Sequence, residues 1–260
     1  MYANNPKLFD DVLTAVLDAG RLAADPAAVQ NIRAKGAADF VTNVDVLVQE
    51  TLKAKLAALT PEAQFMGEEQ DNSGLDLSKP CWILDPVDGT TNLIHRYGMS
   101  AVSLALAEEG QVVFGVVYNP FHKECFTARL GQGSFLNGQP IHVSEADALV
   151  DSLISVGTTP GKRTMSDASF RTMRNLFDRC QDVRRTGSAS LDLSYVACGR
   201  QDGYVELAAM PWDYAAGWLI VTEAGGAVTA PDGTPLPLDR PSGLLASNGR
   251  IHQLMLEQVG

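Results

Sequence analysis

The stretch "WILDPVDGTTN", residues 82–92, ends an apolar run in Asp85 and follows it with Asp88, Gly89 and two threonines. Two neighbouring carboxylates repel each other unless one takes a proton or a cation sits between them. Magnesium suits such a pair, because it is a hard ion that takes one or two carboxylates together with waters and phosphate oxygens. Pro86 prevents a regular helix, so Asp85, delivered by the strand end to a sheet edge, and Asp88 are expected to converge from a tight turn. Gly89 allows close approach of backbone to a ligand. Thr90, Thr91 and Asn92 read as the opening of a short helix whose free N–H groups would face an anion. Taken alone, Asp, Pro, Gly and Thr also compose an ordinary turn.

Three other places shift that balance. "MGEEQ" puts Glu68 and Glu69 behind a glycine, after a strand expected near 64–66. "PWDYAAGWLIVTEAGG" puts Asp213 in the first turn of a helix, and "VTNVD" puts Asp45 where another helix begins. Singly, Asp213 and Asp45 read as helix-start aspartates and Glu68 as a surface charge. Their joint occurrence points to a site. Glu69 reads as an outer or solvent-facing group. His95 and Arg96 read equally well as loop braces, and Arg184 and Arg185 as a solvated strand end. Trp82, Trp212 and Trp218 are assigned to the core.

These groups need elements to hold them. Asn5 and Pro6 open a helix to about Ala24, with Leu8, Val12, Val16 and Ala19 at helical spacing. A second helix is expected from Val44 to Leu59, with Val46, Leu47, Leu52, Leu56 and Leu59 as its apolar set. The segment "KGAADFVTNVD" between them reads as a loop. "CWILD", "AVSLALAEEGQVVFGVVYNP" and "ECFTARL" read as strands, and Asn137-Gly138 marks a hairpin turn. "SLISVG" is a further strand. Beyond it helices are expected over 166–179, 189–198, 212–224 and from Arg250, alternating with the strands "DVRR", "DGYVEL", "AVTA" and "GLLASN". The pattern is layered α/β: an α+β N-terminal part, about 1–150, and an α/β C-terminal part, about 151–260, within one unit.

The 260 residues are 45% hydrophobic and 20% charged, enough for a large core without staples. The net charge of −11, from 31 acidic and 20 basic residues, disfavours direct nucleic-acid or anionic-membrane binding. Cys81, Cys125, Cys180 and Cys198 form no Cys-x-x-Cys pair and read as reduced thiols. No secretory leader or membrane-length apolar run is seen, so a cytoplasmic setting is expected.

Four motifs, "DFVTNVD", "GEE", "WILDPVDGTTNLIHRYG" and "WDYAAGWLIVTEAGG", together resemble the inositol monophosphatase family of magnesium-dependent, lithium-sensitive phosphatases. The likeness covers most of the chain. It implies an αβαβα sandwich, a homodimer and about two or three Mg2+ ions per active site. It implies hydrolysis of a phosphate monoester by in-line attack of a metal-activated water. Inositol 1-phosphate is the leading substrate, with histidinol phosphate, fructose 1,6-bisphosphate or a nucleotide 3′-phosphate as alternatives. A partner-binding role in transcription or RNA processing is a further alternative. Residue by residue, the resemblance makes Glu68, Asp85 and the Val87 carbonyl ligands of a first metal. Asp85, Asp88 and Asp213 become ligands of a second. Asp45 and Thr90 would orient the water, with Glu68 beside them in the catalytic set. The N–H groups of Gly89 and Thr90 would hold phosphate. Asp88, Ala189, Glu206 and Asp213 would meet the alcohol. One departure is Ala208, where the family commonly has glycine; alanine accepts positive φ less readily.

Overall fold

The computed structural model describes residues 2, 5–24, 32–36 and 39–259. Helix α1 spans Pro6–Ala23, and the Asn5 side chain accepts the Leu8 N–H at 3.1 Å. Strands β1 (Arg33–Gly36) and β2 (Asp39–Val41) form an antiparallel pair. The segment expected to be a loop therefore contains a hairpin; its residues 37–38 lie outside the described residues. Helix α2 spans Asn43–Leu59.

A seven-stranded sheet follows: β3 (Gln64–Gly67), β4 (Cys81–Asp88), β5 (Ala101–Glu108), β6 (Gln111–Asn119), β7 (Glu124–Arg129), β8 (Ser134–Leu136) and β9 (Gln139–Ile141). The strands lie side by side in chain order, antiparallel except for the parallel pair β3–β4. A short helix α3, Thr90–Ile94, leaves the end of β4. The expected turns are present, with Glu109-Gly110 and Asn137-Gly138 all at positive φ.

The remaining elements are β10 (Leu153–Val156), α4 (Ser166–Phe177), β11 (Asp182–Arg184), α5 (Ala189–Ala197), β12 (Gly203–Ala209), α6 (Pro211–Glu223), β13 (Ala227–Thr229), β14 (Ser242–Ser247) and α7 (His252–Leu256). They build a five-stranded sheet in the order β11-β10-β12-β14-β13, with β10 parallel to both its neighbours.

Strand periodicity sorts the layers. Trp82 and Leu84 of β4 face α1 and α2, whereas Cys81 and Ile83 face α5 and α6. On its other side the α5–α6 layer meets Tyr204, Leu244 and Ala246 of the second sheet. The outer face of that sheet packs Ile154, Val205 and Leu245 against Leu176, Ile251 and Met255. The order of layers is thus helix, sheet, helix, sheet, helix, as the fold class implied.

The buried stripe of α2 is Val44, Val48, Leu52 and Leu56, an i, i+4 series, while Val46 and Leu47 are about half exposed at 48% and 46%. Apolar type alone misassigned those two positions. The central helix α6 is apolar on nearly every side because it lies between two sheets. It sits so close to β6 that a Cβ on Gly115 would be 2.8 Å from the Ala216 carbonyl oxygen. Gly115→Val should therefore cost about 1–3 kcal/mol by overpacking and lower the melting temperature by several degrees. An unchanged melting temperature would show that α6 is not clamped there.

Candidate active site

Strand β4 does not stop at Asp85. It continues to Asp88, with a register shift between those two residues where it faces Ser103 and Ala101 of β5. Asp85 is consequently buried within a strand, paired with Ser103 of β5 and one residue beyond the last that β3 pairs, rather than delivered by the end of β4 into a tight turn. Pro86 falls within the irregular stretch, where no ladder N–H is demanded of it. The Val87 N–H folds back to Asp85 Oδ1 at 2.9 Å. Gly89 then takes φ 92°, and α3 begins at Thr90. A side chain at Gly89 would strike the Met99 carbonyl oxygen at 2.8 Å, so both conformation and space require glycine here.

Asp45 caps its own helix: the Thr42 N–H and Oγ1 donate to Oδ2 at 2.9 and 2.5 Å. Its other oxygen lies 3.0 Å from Thr90 Oγ1, which is also 3.1 Å from the Val87 carbonyl. One hydroxyl hydrogen serves one of these acceptors at a time. The pair that the sequence set side by side across 45 positions is therefore in contact.

Asp88 is the most heavily bonded carboxylate. Oδ2 accepts the Ser188 hydroxyl (2.6 Å), the Ser190 hydroxyl (2.5 Å) and the Ser190 N–H (2.7 Å), and Oδ1 accepts the Ala189 N–H at 3.3 Å. The positive end of α5 thus points at Asp88. Asp213 accepts the Met210 N–H at 2.7 Å, so its helix-capping role is real and coexists with its place in the acidic group.

Burial raises the pKa of Asp85 well above the ordinary carboxylate value, and the charges of Glu68, Asp88, Asp213 and Asp45 raise it further. Asp213 is raised likewise, by burial and then by Asp88, Glu68 and Glu206. Burial also raises Asp45 and Asp88, against the lowering effect of their hydrogen bonds. Five acidic residues share one neighbourhood, Asp45, Asp85 and Asp88 buried and Glu68 and Asp213 half-buried, and among the described residues none of Asp45, Asp85, Asp88 or Asp213 has an ion-pair partner. Their donor set is all hard oxygen, the chemistry that suits Mg2+ or Ca2+ rather than a thiolate-seeking metal. Among the described residues no three acidic, histidine or cysteine side chains are arranged so that they could hold a metal ion by themselves. An ion that retains waters and borrows oxygens from a substrate needs no such set.

Beside this group opens a cavity of about 380 Å³, lined by Asp88, Gly89, Thr90, Ala189, Glu206 and Asp213 among others. Asp45, Glu68, Asp85 and Val87 do not line it. Both Glu206 oxygens are already engaged: Oε1 accepts the Thr159 N–H (2.8 Å) and Oγ1 (2.9 Å), and Oε2 accepts the Tyr204 hydroxyl at 2.5 Å. Thr159 is held at φ 43°, unusual for a β-branched residue. Ala208 is not among the positive-φ residues, so the missing glycine brings no backbone strain.

Sequence reading missed Ser188, Ser190, Thr159 and Asp192. Ser188 was the most accessible of them, since its side chain caps α5 by accepting the Leu191 N–H. Asp192 is fully buried in the cavity wall, takes hydroxyls from Ser155 (2.6 Å) and Thr186 (2.8 Å), and is pushed up to about 7 chiefly by burial. Arg185, read as a solvated strand end, lines the cavity, whereas Arg184 turns aside to Asp182. His95 and Arg96 are exposed. Trp82 is core, its Nε1 donating to Thr60 Oγ1 at 2.8 Å.

Comparison with known proteins bears on what this arrangement is. The model of the inositol monophosphatase family matches residues 11–260. An inositol-1-monophosphatase of Mesorhizobium japonicum is 38% identical over 255 residues, covering 97% of this chain and 96% of that protein. The Nus factor SuhB of Escherichia coli is 41% identical over 196 residues, 75% of this chain and 73% of that protein. The solved inositol monophosphatase of Anabaena superposes with a TM-score of 0.88 at 35% identity, covering 98% of this chain and 96% of that one. A match over nearly the whole length, with the acidic motifs folded into one site, places this chain in the inositol monophosphatase family.

Proposed function

We propose that this chain is a Mg2+-dependent phosphate-monoester hydrolase acting on inositol 1-phosphate. The observation that carries the reading is the group of buried Asp45, Asp85 and Asp88 with half-buried Glu68 and Asp213, beside a cavity that holds Gly89 and Thr90. The family relationship and the similarity to proteins named inositol-1-monophosphatase support the substrate.

In this reading Glu68, Asp85 and the Val87 carbonyl would hold one ion, and Asp85, Asp88 and Asp213 would hold another. Bound Mg2+ supplies charge neutralisation, a more acidic water and stabilisation of the leaving alkoxide. The chain's own groups do the positioning. Asp45 fixes the Thr90 hydroxyl, and the pair aims a water at phosphorus opposite the leaving oxygen. Thr90 does not remove the proton unaided at neutral pH; it relays it toward Asp45. The N–H groups of Gly89 and Thr90 receive the phosphate. Ser188, Ser190 and the α5 amides hold Asp88 in place, so its free edge is presented in one orientation. Ala189 and the Glu206-held loop shape the alcohol side. The same reading carries a homodimer and a cytoplasmic setting, supported by the family relationship and by the four free cysteines. No helix among the described residues is long and apolar enough to cross a membrane.

A second reading, partner binding in transcription, is favoured by one finding, the similarity to a Nus factor. The retained carboxylates at every motif position favour catalysis.

Three outcomes are expected. Phosphate release from inositol 1-phosphate should require Mg2+, be inhibited by Li+, and exceed release from histidinol phosphate or adenosine 3′,5′-bisphosphate; Asp85→Asn should abolish it while the circular dichroism spectrum stays native. Normal turnover in that variant would sink the metal assignment. In chelator, the folded state holds protons on Asp85 and Asp213 that the unfolded state, with pKa near 3.8, has released. Stability should therefore fall as pH rises above that value through the raised pKa values, and Asp85→Asn should flatten that fall in melting temperature. An identical slope in the variant would show that Asp85 is not a buried, crowded acid. Lastly, Asp88→Asn should abolish any cellular phenotype that depends on turnover; a phenotype that survives would point to partner binding instead.

A further inference from the structure

Asp192 is buried in the cavity wall, 2% exposed, and has no part in the machinery described above. It lies in the first turn of α5, which Ser188 caps. Among the described residues it has no ion-pair partner. A carboxylate removed from water without a cation is costly unless hydrogen bonds replace the lost water. Here they do. Oδ1 accepts the Ser155 hydroxyl at 2.6 Å and the Gln201 amide at 3.4 Å, and Oδ2 accepts the Thr186 hydroxyl at 2.8 Å. Both oxygens are engaged by the protein itself rather than held out to a ligand.

The Thr186 bond leads on to the acidic group. With its hydrogen given to Asp192, Thr186 Oγ1 keeps its lone pairs and accepts the Ser188 N–H at 3.2 Å. The same hydroxyl has a competing acceptor in the Ser188 carbonyl, 3.1 Å away, which also receives the Asp192 N–H at 3.0 Å to open the α5 ladder. Asp192 therefore decides where the hydroxyl hydrogen points and leaves the Ser188 turn undisturbed. From the other side, Asn92 Nδ2 pins the Thr186 carbonyl at 2.9 Å. The Ser188 hydroxyl then donates to Asp88 Oδ2 at 2.6 Å, beside the Ser190 hydroxyl and N–H at 2.5 and 2.7 Å. Oδ1 of Asp88 receives only the Ala189 N–H, at 3.3 Å. Asp88 thus has one oxygen filled by three donors and one lightly bonded, so its orientation is chosen before any cation arrives.

We propose that Asp192 is a positioning residue for the cation site: through Thr186 it sets the Ser188 turn, and through Ser188 the orientation of the Asp88 carboxylate. The inference deepens the hydrolase reading and rests on the cation site of that reading. Groups that orient a ligand carboxylate from outside govern metal affinity by about 10–100-fold.

The test measures cation binding directly, with Mn2+ as the probe and no substrate present, by loss of the free-ion electron paramagnetic resonance signal. Mn2+ favours the same oxygen donors as Mg2+. Thr186→Val keeps the shape of the side chain and removes the hydroxyl, whereas Thr186→Ser keeps the hydroxyl. The dissociation constant should rise about tenfold in Thr186→Val and stay near the wild-type value in Thr186→Ser. Asp192→Ala should weaken binding similarly, and the Asp192→Ala/Thr186→Val double variant should bind no more weakly than Thr186→Val alone, because the two groups act in one chain. If Asp192→Ala does not fold, the comparison of Thr186→Val with Thr186→Ser decides. Wild-type affinity in Thr186→Val, with or without a lowered melting temperature, overturns the proposal. So do an equal loss in Thr186→Ser and losses that multiply in the double variant. Phosphate release from inositol 1-phosphate with Mg2+ is followed in parallel. A wild type that binds Mn2+ yet releases no phosphate overturns the hydrolase reading alone, since the ratios of dissociation constants still decide the role of Asp192. A wild type that binds no Mn2+ overturns both.

Discussion

Mutual repulsion among carboxylates removed from water is the constraint around which this molecule is arranged. Asp85 feels Glu68, Asp88, Asp213 and Asp45, which come from the turn after β3, the end of β4, α6 and α2. Left to themselves such groups would move apart or take up protons. The fold prevents the first. The β4 strand is buried along its whole length, α6 is pressed onto β6, and Asp45 is bonded at its own helix start. A cation placed among these oxygens would relieve that crowding. Part of the stability generated by the two large cores is spent here.

The layering explains how residues from distant parts of the chain can be held so firmly. The α5–α6 layer is shared by both sheets, so it has no free face on which to slide. Helix α6 carries Asp213 in its first turn, and the start of α5 supplies the donors to Asp88. Each helix therefore serves packing along its length and chemistry at its N-terminal end, where unpaired N–H groups are available.

Much of this was legible in the sequence where the signal is local. Asn5-Pro6 announces α1, Asn137-Gly138 the β8–β9 turn, and the joint occurrence of "GEE", "DPVDGT" and "WD", through the family resemblance, the acidic group. What was not legible is long-range. Nothing near Asp88 tells that Ser188 and Ser190, 100 and 102 residues later, will donate to it. Glu206 looked like a group awaiting an alcohol, yet its partners Thr159 and Tyr204 are set by the pairing of β10 with β12. The α2 stripe was misread because valine and leucine at 46 and 47 are apolar but lie off the i, i+4 series that meets the sheet. The extension of β4 through Pro86 was missed because a proline ordinarily ends a strand, and only the register shift opposite β5 excuses it.

The bond set on Asp88 has one more consequence. Asp88 belongs to the seven-stranded sheet, and its donors belong to the helix that leads into β12 of the five-stranded one. The two sheets are thereby keyed to each other through this carboxylate, beside the bond that Asn92 Nδ2 donates to the Thr186 carbonyl. Any slip between them, caused by a change far from the site, alters the distance between the Gly89–Thr90 turn and the Glu206 wall of the cavity without removing a single side chain. Substrate preference in this architecture can be retuned from the interior, by substitutions that never touch a substrate.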